Sequence, residues 1–283
     1  ANLDEANTGA VFGIVFIIVG LAFKVSVVPF HMWTPDVYEG SPTSVTSFFA
    51  VVPKIAALTI FIRFMHVVFV NIIDQWQMIV VFLSIASMIL GAVAAIGQSN
   101  IKRLMAYSSI GHMGYALAGI ATGSLEGIKS TIVYLTIYLV MNVGIFACIF
   151  MMRRDDKFFE NINELSGLSK RQPLLSLSFL ILLFSLAGIP PLAGFFAKFY
   201  VFMAVIESQM YALAIIGLVT TVISSFYYLR IIKIIYFDEQ KETFDENKNL
   251  GIKTSLALSC ILILLYFINP SILINLVSSI IVY

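Results

Sequence analysis

From Trp76 to Gly97 the sequence reads WQMIVVFLSIASMILGAVAAIG, without a single charged residue. A helix needs about 20 mostly apolar residues to cross the hydrocarbon core of a bilayer, and this run is long enough. Lipid offers the backbone no hydrogen-bond partners, so only helices and closed barrels can span it. Alternating strand patterns are absent, and the segment therefore reads as a transmembrane helix. The rest of the chain agrees: 60% of its residues are hydrophobic and 12% are charged, against about 25% charged in soluble domains. The expected class is an all-α polytopic membrane protein.

Eight such segments are expected, at about 9–28, 43–70, 76–97, 104–122, 131–152, 173–206, 211–229 and 254–282. If they alternate across the bilayer, the linkers 98–103, 153–172 and 230–253 share one side. Those linkers hold twelve basic residues, Lys102, Arg103, Arg153, Arg154, Lys157, Lys170, Arg171, Arg230, Lys233, Lys241, Lys248 and Lys253, whereas the opposite side has Lys129 alone. The imbalance assigns the three linkers to the cytoplasm or the equivalent matrix compartment. The net charge of +1 gives no basic or acidic bias and argues against a nucleic-acid partner.

Several chemistries leave no mark. Cys148 and Cys260 each lie in an apolar run without metal-ligand spacing, and read as small buried hydrophobes. There is no Walker loop, no GxGxxG before a helix, no CxxC pair and no Ser/His/Asp arrangement. The chain starts without Met and without a signal-peptide pattern, and reads as a piece of a longer polypeptide.

Four basic residues remain inside the spans: Lys24, Lys54, Arg63 and Lys198. A charge at a helix centre costs about 2.5 to 3.5 kcal/mol on insertion scales. Arg63 lies near the end of its helix, where a long side chain reaches the interface. The lysines are deeper. Lys24 precedes Pro29, Thr34-Pro35-Asp36 and Ser41-Pro42, so its helix is expected to break and resume as a half-helix around 36–40. The segment 173–206 is too long for one straight crossing, contains Gly188-Ile189-Pro190-Pro191, and carries Lys198 in its second half. Two interrupted helices an odd number of spans apart run in opposite directions, the signature of an inverted repeat with ion sites at the breaks. Kinks alone can serve packing, but a lysine can release a proton in low dielectric and an arginine cannot. His112, in SSIGHMGY with Ser108, Ser109 and Tyr115 nearby, is a candidate relay member or a hydrogen-bonded packing residue. His31 and Trp33 can simply anchor a helix end.

Three stretches, FKVSVVPFHMWTPDVYEGSPTSVTSFFAVVPKIA, SNIKRLMAYSSIGHMGY and FSLAGIPPLAGFFAKFYVF, resemble the subunit N family of the proton-pumping NADH-quinone oxidoreductases, respiratory complex I. The likeness covers nearly the whole chain. Related antiporter-like subunits have a PLHTWLPDA pattern where this chain has PFHMWTPDVYEGSP. The resemblance implies the C-terminal part of such a subunit, from the family's seventh helix onward. Lys24 then matches the lysine of the seventh helix, Lys54 that of the eighth, His112 the central histidine and Lys198 the lysine of the twelfth. The family's glutamate in the fifth helix would precede Ala1. The implied division is 1–70 as the end of a first antiporter-like repeat, 71–236 as a second, and 237–283 as a loop and last helix.

The function implied is proton translocation along Lys24, Lys54, His112 and Lys198, driven by quinone reduction elsewhere. No cofactor is expected in this chain, with NADH, flavin, iron-sulfur clusters and quinone in partner subunits. The expected partners are other complex I membrane subunits, the lipid bilayer and protons, with quinone acting indirectly, in a bacterial inner (cell) membrane or a mitochondrial inner membrane. The alternatives are a subunit of a multi-subunit cation/proton antiporter and a purely structural helix bundle. Lys24 and Lys54 are further expected to face each other at similar depth and to titrate as a coupled pair.

Overall fold

The computed structural model describes residues 8–155, 157–239, 244–246 and 249–281. Its helices are α1 Thr8–Val25, α2 Trp33–Gly40, α3 Thr43–Arg63, α4 Ile73–Ala94, α5 Ile101–Ala121, α6 Leu125–Phe150, α7 Pro173–Ala187, α8 Ala193–Glu207, α9 Tyr211–Phe237, α10 Leu250–Leu265 and α11 Ser271–Ile281. A π-helical turn, Phe64–Val68, extends α3. Four stretches are long and apolar enough to cross a membrane: Thr43–Val68, Val70–Ala94, Leu125–Phe150 and Tyr211–Phe237. The apolar helices α1, α7, α10 and α11 are shorter.

The centre of the bundle is α5. Every residue of it except Arg103 and Tyr107 is buried, which explains a sequence too polar for lipid yet lacking an apolar stripe: protein surrounds it on all sides. It meets α4 through glycines. A Cβ on Gly91 would lie 2.5 Å from the Gly111 nitrogen, and one on Gly114 would lie 2.9 Å from the Ser84 carbonyl oxygen. Small residues let the two backbones touch, which gives close packing where hydrophobic burial drives little association. Ser84 fastens the contact by donating to the Gly114 carbonyl at 2.7 Å.

The three basic linkers do gather at one end. Backbone bonds join Ile101 N to Glu160 O, Ile162 N to Ser99 O, Gly167 N to Ile234 O and Asp245 N to Arg153 O, all within 2.7 to 3.0 Å. A two-stranded hairpin pairs Arg153–Arg154 with Lys157–Phe158 there. Lys102 Nζ contacts Glu160 at 2.6 Å and donates to Ser41 O at 2.7 Å, while Arg103 reaches Asp36 and Glu39 at 2.7 and 2.9 Å. The end of α2 and the start of α5 are thereby bound together at this basic end. At the opposite end Lys129 pairs with Glu126 at 2.7 Å, and Gln77 donates to Ala121 O at 2.9 Å. Lys241 and Lys248 lie outside the described residues.

Three expected spans differ, and the one expected at 131–152 starts early, at Leu125, so that Lys129 lies on α6 and not in a linker. The segment 254–282 is not one helix: α10 stops at Leu265 and α11 starts at Ser271, with Pro270 between them. Proline has no N–H to continue the ladder and its ring crowds the preceding turn, so the helix restarts after it. Val282 itself lies outside the described residues. The helix expected to end near 229 continues to Phe237. Arg230 permits this by turning back onto α4, whose terminal region leaves carbonyls at Ile96 and Gln98 that its guanidinium caps.

Candidate functional site

At the first break α1 ends at Val25, Ser26 takes a left-handed φ of 69°, the Val28–Pro29 peptide is cis, and α2 begins at Trp33. The groups freed here find local partners. Ser26 N and Val27 N return to Phe23 O and Ala22 O at 3.1 and 3.0 Å. Val28 N reaches Ser87 Oγ at 2.9 Å, and the Trp33 indole donates to Phe23 O at 3.1 Å. Lys24, in the last turn of α1, points outward and is exposed. Among the described residues it has no hydrogen bond or ion pair, so the structure does not bring it to the other candidates. The facing Lys24–Lys54 pair expected from sequence is replaced by an exposed lysine and one fully buried elsewhere. The Phe23 carbonyl beside Lys24 already accepts from Ser26 N and from the Trp33 indole. His31 is buried beside this break.

The second break is organised around its lysine. α7 ends at Ala187, Gly188 turns the chain with a φ of 86°, and the Pro190–Pro191 peptide is cis before α8 starts at Ala193. Gly188 and Ile189 N–H groups bond back to Phe184 O at 3.1 and 3.0 Å. Two carbonyls of the last turn remain, Leu186 and Ala187, and Lys198 Nζ donates to them at 3.0 and 3.2 Å. The end of α7 thus supplies two buried carbonyl acceptors to the lysine of α8. Gly194 lies against the Ser185 carbonyl, too close for any side chain, and its N–H donates to Ser185 Oγ at 3.0 Å.

Between the breaks lies a buried polar array on α5. Ser108, His112 and Tyr115 follow helical spacing along one face, with Ser109 beside them. Lys54 is fully buried on α3, its Nζ donates to Ser109 Oγ at 2.7 Å, and it lies 5.2 Å from the Tyr38 ring centre. Ser109 Oγ also bonds the Tyr138 hydroxyl at 2.7 Å. His112 has a hydroxyl on each ring nitrogen: Tyr134 at 2.6 Å on Nδ1 and Tyr228 at 3.2 Å on Nε2. The Tyr228 hydroxyl goes on to Ser108 Oγ. The Tyr138 ring lies 5.3 Å from that of His112, and the Tyr115 ring lies 6.1 Å from it and 5.1 Å from Lys198 Nζ.

Lys54, His112 and Lys198 therefore lie in three neighbouring buried clusters: hydroxyls bond Lys54 and His112, backbone carbonyls bond Lys198, and the Tyr138 and Tyr115 rings pack between them. Hydroxyls donate and accept at once, so the serine and tyrosine groups bonded to Lys54 and to His112 can each take or give a proton at those residues. Sequence reasoning did not single out Tyr134, Tyr138 and Tyr228. The first two had a signal, tyrosines four residues apart in an otherwise apolar span. Tyr228 had none, because its contact with α5 crosses 116 positions of sequence.

Residues 2–224 match the family described as NADH:quinone oxidoreductase/Mrp antiporter, TM. The chain is 67% identical over 278 residues to NADH-quinone oxidoreductase subunit N of Pelagibacter ubique, covering 98% of this chain and 59% of that protein. It is 55% identical to the subunit N of Parvibaculum lavamentivorans, covering 95% and 56% respectively. The chain thus spans less than three fifths of the length of these relatives. Among solved structures it superposes on a chain of respiratory complex I from Thermus thermophilus with a TM-score of 0.82 and 30% identity, covering 96% of this chain and 60% of the other. A chain of the Mrp complex from Dietzia shares the fold, with a TM-score of 0.86 at 22% identity, covering 98% and 60%. The chain belongs to the family of NADH:quinone oxidoreductase and Mrp antiporter transmembrane subunits.

Proposed function

We propose that this chain is the C-terminal part of the proton-translocating subunit N of an NADH-quinone oxidoreductase in a bacterial inner membrane. The observation that carries the reading is the burial of Lys54, His112 and Lys198 around α5, with hydroxyls on Lys54 and on both His112 nitrogens and the Tyr115 ring between His112 and Lys198. Protons move by way of these residues while NADH, flavin, iron-sulfur clusters and quinone react in partner subunits. Lys24 joins the path through groups outside the described helices, on the exposed face of α1. The bundle is read as eight crossings, with α1–α2 and α7–α8 as the broken helices of two inverted repeats. In support, α2 ends at the basic end of the molecule, where α7 begins.

The test uses the whole complex in sealed vesicles. NADH-driven proton uptake that stops with a quinone-site inhibitor, and that is lost when Lys198 becomes Arg, supports the reading. An arginine keeps the charge on the freed carbonyls but cannot give up its proton. The second reading, a cation/proton antiporter subunit, is favoured by the shared fold with the Mrp chain. It requires sodium-driven proton exchange in vesicles that oxidise no NADH.

A further inference from the structure

The hydrogen bonds around His112 have a direction. A buried hydroxyl proton needs an acceptor, and among the described residues the Tyr134 hydroxyl bonds only to His112 Nδ1, at 2.6 Å. Tyr134 therefore donates, and Nδ1 is the bare nitrogen of the neutral ring. The proton then resides on Nε2 and is donated to the Tyr228 oxygen at 3.2 Å. With its oxygen already accepting, Tyr228 turns its own hydroxyl proton to Ser108 Oγ. Every bond in the series Tyr134, His112, Tyr228, Ser108 points the same way.

Resting on the relay reading above, we propose that Tyr228 is a further proton-carrying residue, the outlet of His112, and that Tyr134 is a positioning residue that sets the tautomer. When His112 holds two protons, the one on Nε2 passes to the Tyr228 oxygen as the Tyr228 proton passes to Ser108 Oγ. Ser108 passes its own proton to a water molecule, and His112 is left neutral with its remaining proton on Nδ1 and the Tyr134 hydroxyl turned to accept it; a turn of the ring brings that proton to the Tyr228 side, Tyr134 donates again, and the resting tautomer is restored. No bond between heavy atoms changes. Arg230 lies on the same helix two residues beyond Tyr228 and clamps α9 to the Ile96 and Gln98 carbonyls. That clamp fixes the height at which the Tyr228 hydroxyl meets the imidazole.

The experiment replaces Tyr228 in the full complex with Phe and, separately, with fluorotyrosines of increasing acidity. NADH oxidation by an artificial acceptor reports intact assembly, and Tyr236→Phe on the same helix is the control. Tyr228→Phe is expected to lower NADH-driven proton uptake at least about tenfold, the lower range of general acid–base effects. Across the fluorotyrosines the uptake rate is expected to change in order of acidity. Parental uptake in an assembled Tyr228→Phe complex overturns the proposal. So does a flat fluorotyrosine series, which means that the hydroxyl only positions His112. If the Phe variant fails to assemble, the fluorotyrosine series, which keeps the hydroxyl, decides alone. A Lys198→Arg complex measured alongside separates the two levels. Normal uptake there defeats the relay reading itself, whereas lost uptake there with normal uptake in Tyr228→Phe defeats only the role of Tyr228.

Discussion

The two helix breaks begin from the same ingredients, an apolar run, a proline and a lysine, and end differently. At the second, the Lys198 ammonium lies on the carbonyls of Leu186 and Ala187 that the break frees. At the first, the Trp33 indole takes the freed Phe23 carbonyl and Lys24 is left on the surface. Position relative to the break accounts for the difference. Lys198 follows its proline pair and reaches back across the gap from the second half-helix. Lys24 precedes its proline and belongs to the half-helix whose end is already capped. A proline near a lysine in an apolar run is thus not by itself a cation site; the lysine must face the open carbonyls.

The largest effect of that difference is expected at the packing of the half-helices. A Cβ on Gly194 would collide with the Ser185 carbonyl, so Gly194→Ala should cost about 3 kcal/mol, the upper range for overpacking. Loss of assembled complex on native gels checks this, and a stable variant would show that α8 can move away from α7. Next is the lysine itself. Lys198→Met removes the cap from two buried carbonyls and should cost about 1 to 3 kcal/mol, whereas Lys24→Met should stay within about 0.5 kcal/mol. Thermal unfolding of the two variants side by side breaks or sustains the contrast.

Turn geometry gives the smaller effects. Gly188 has a φ of 86°, and a Cβ there would meet Lys198 Cδ at 3.1 Å, so Gly188→Ala is expected to cost about 1 to 2 kcal/mol. At the first break the left-handed residue is Ser26, with a φ of 69°, and Ser26→Gly should relieve up to about 1 kcal/mol. Smallest is Gly20→Ala on α1, where nothing lies within 4 Å of the added methyl. It should stabilise by about 0.5 to 1 kcal/mol through helix propensity alone. A destabilised Gly20→Ala in the full complex would reveal a partner helix packed on that face.

What sequence could and could not reveal follows from the range of each interaction. Turn signals are local, and Gly188-Ile189-Pro190-Pro191 falls between the end of α7 and the start of α8. Loop charge is additive, and the basic linkers duly meet at one end. Pro270 carried the same local signal as the other breaks, yet the apolar residues around it masked the division of α10 from α11. Arg230 read as a linker charge because its acceptors, Ile96 and Gln98 in the turn between α4 and α5, meet it only when the helices pack. The same limit hid the tyrosines. His112 stands out as a polar group in an apolar span, but the hydroxyls on its two nitrogens come from α6 and α9, which reach it only when the helices pack.

Whether protons pass by Lys54, His112 and Lys198, as proposed, is read from NADH-driven proton uptake by vesicles carrying the full complex with Lys198→Arg. Complex content is normalised by NADH oxidation with an artificial acceptor. The arginine keeps a cation on the Leu186 and Ala187 carbonyls, so the break stays capped, but it holds its proton. Uptake is expected to fall at least about tenfold while the normalising activity is unchanged. Uptake at the parental rate in that assembled variant would contradict the account, and would leave Lys198 as the cap of a broken helix and nothing more.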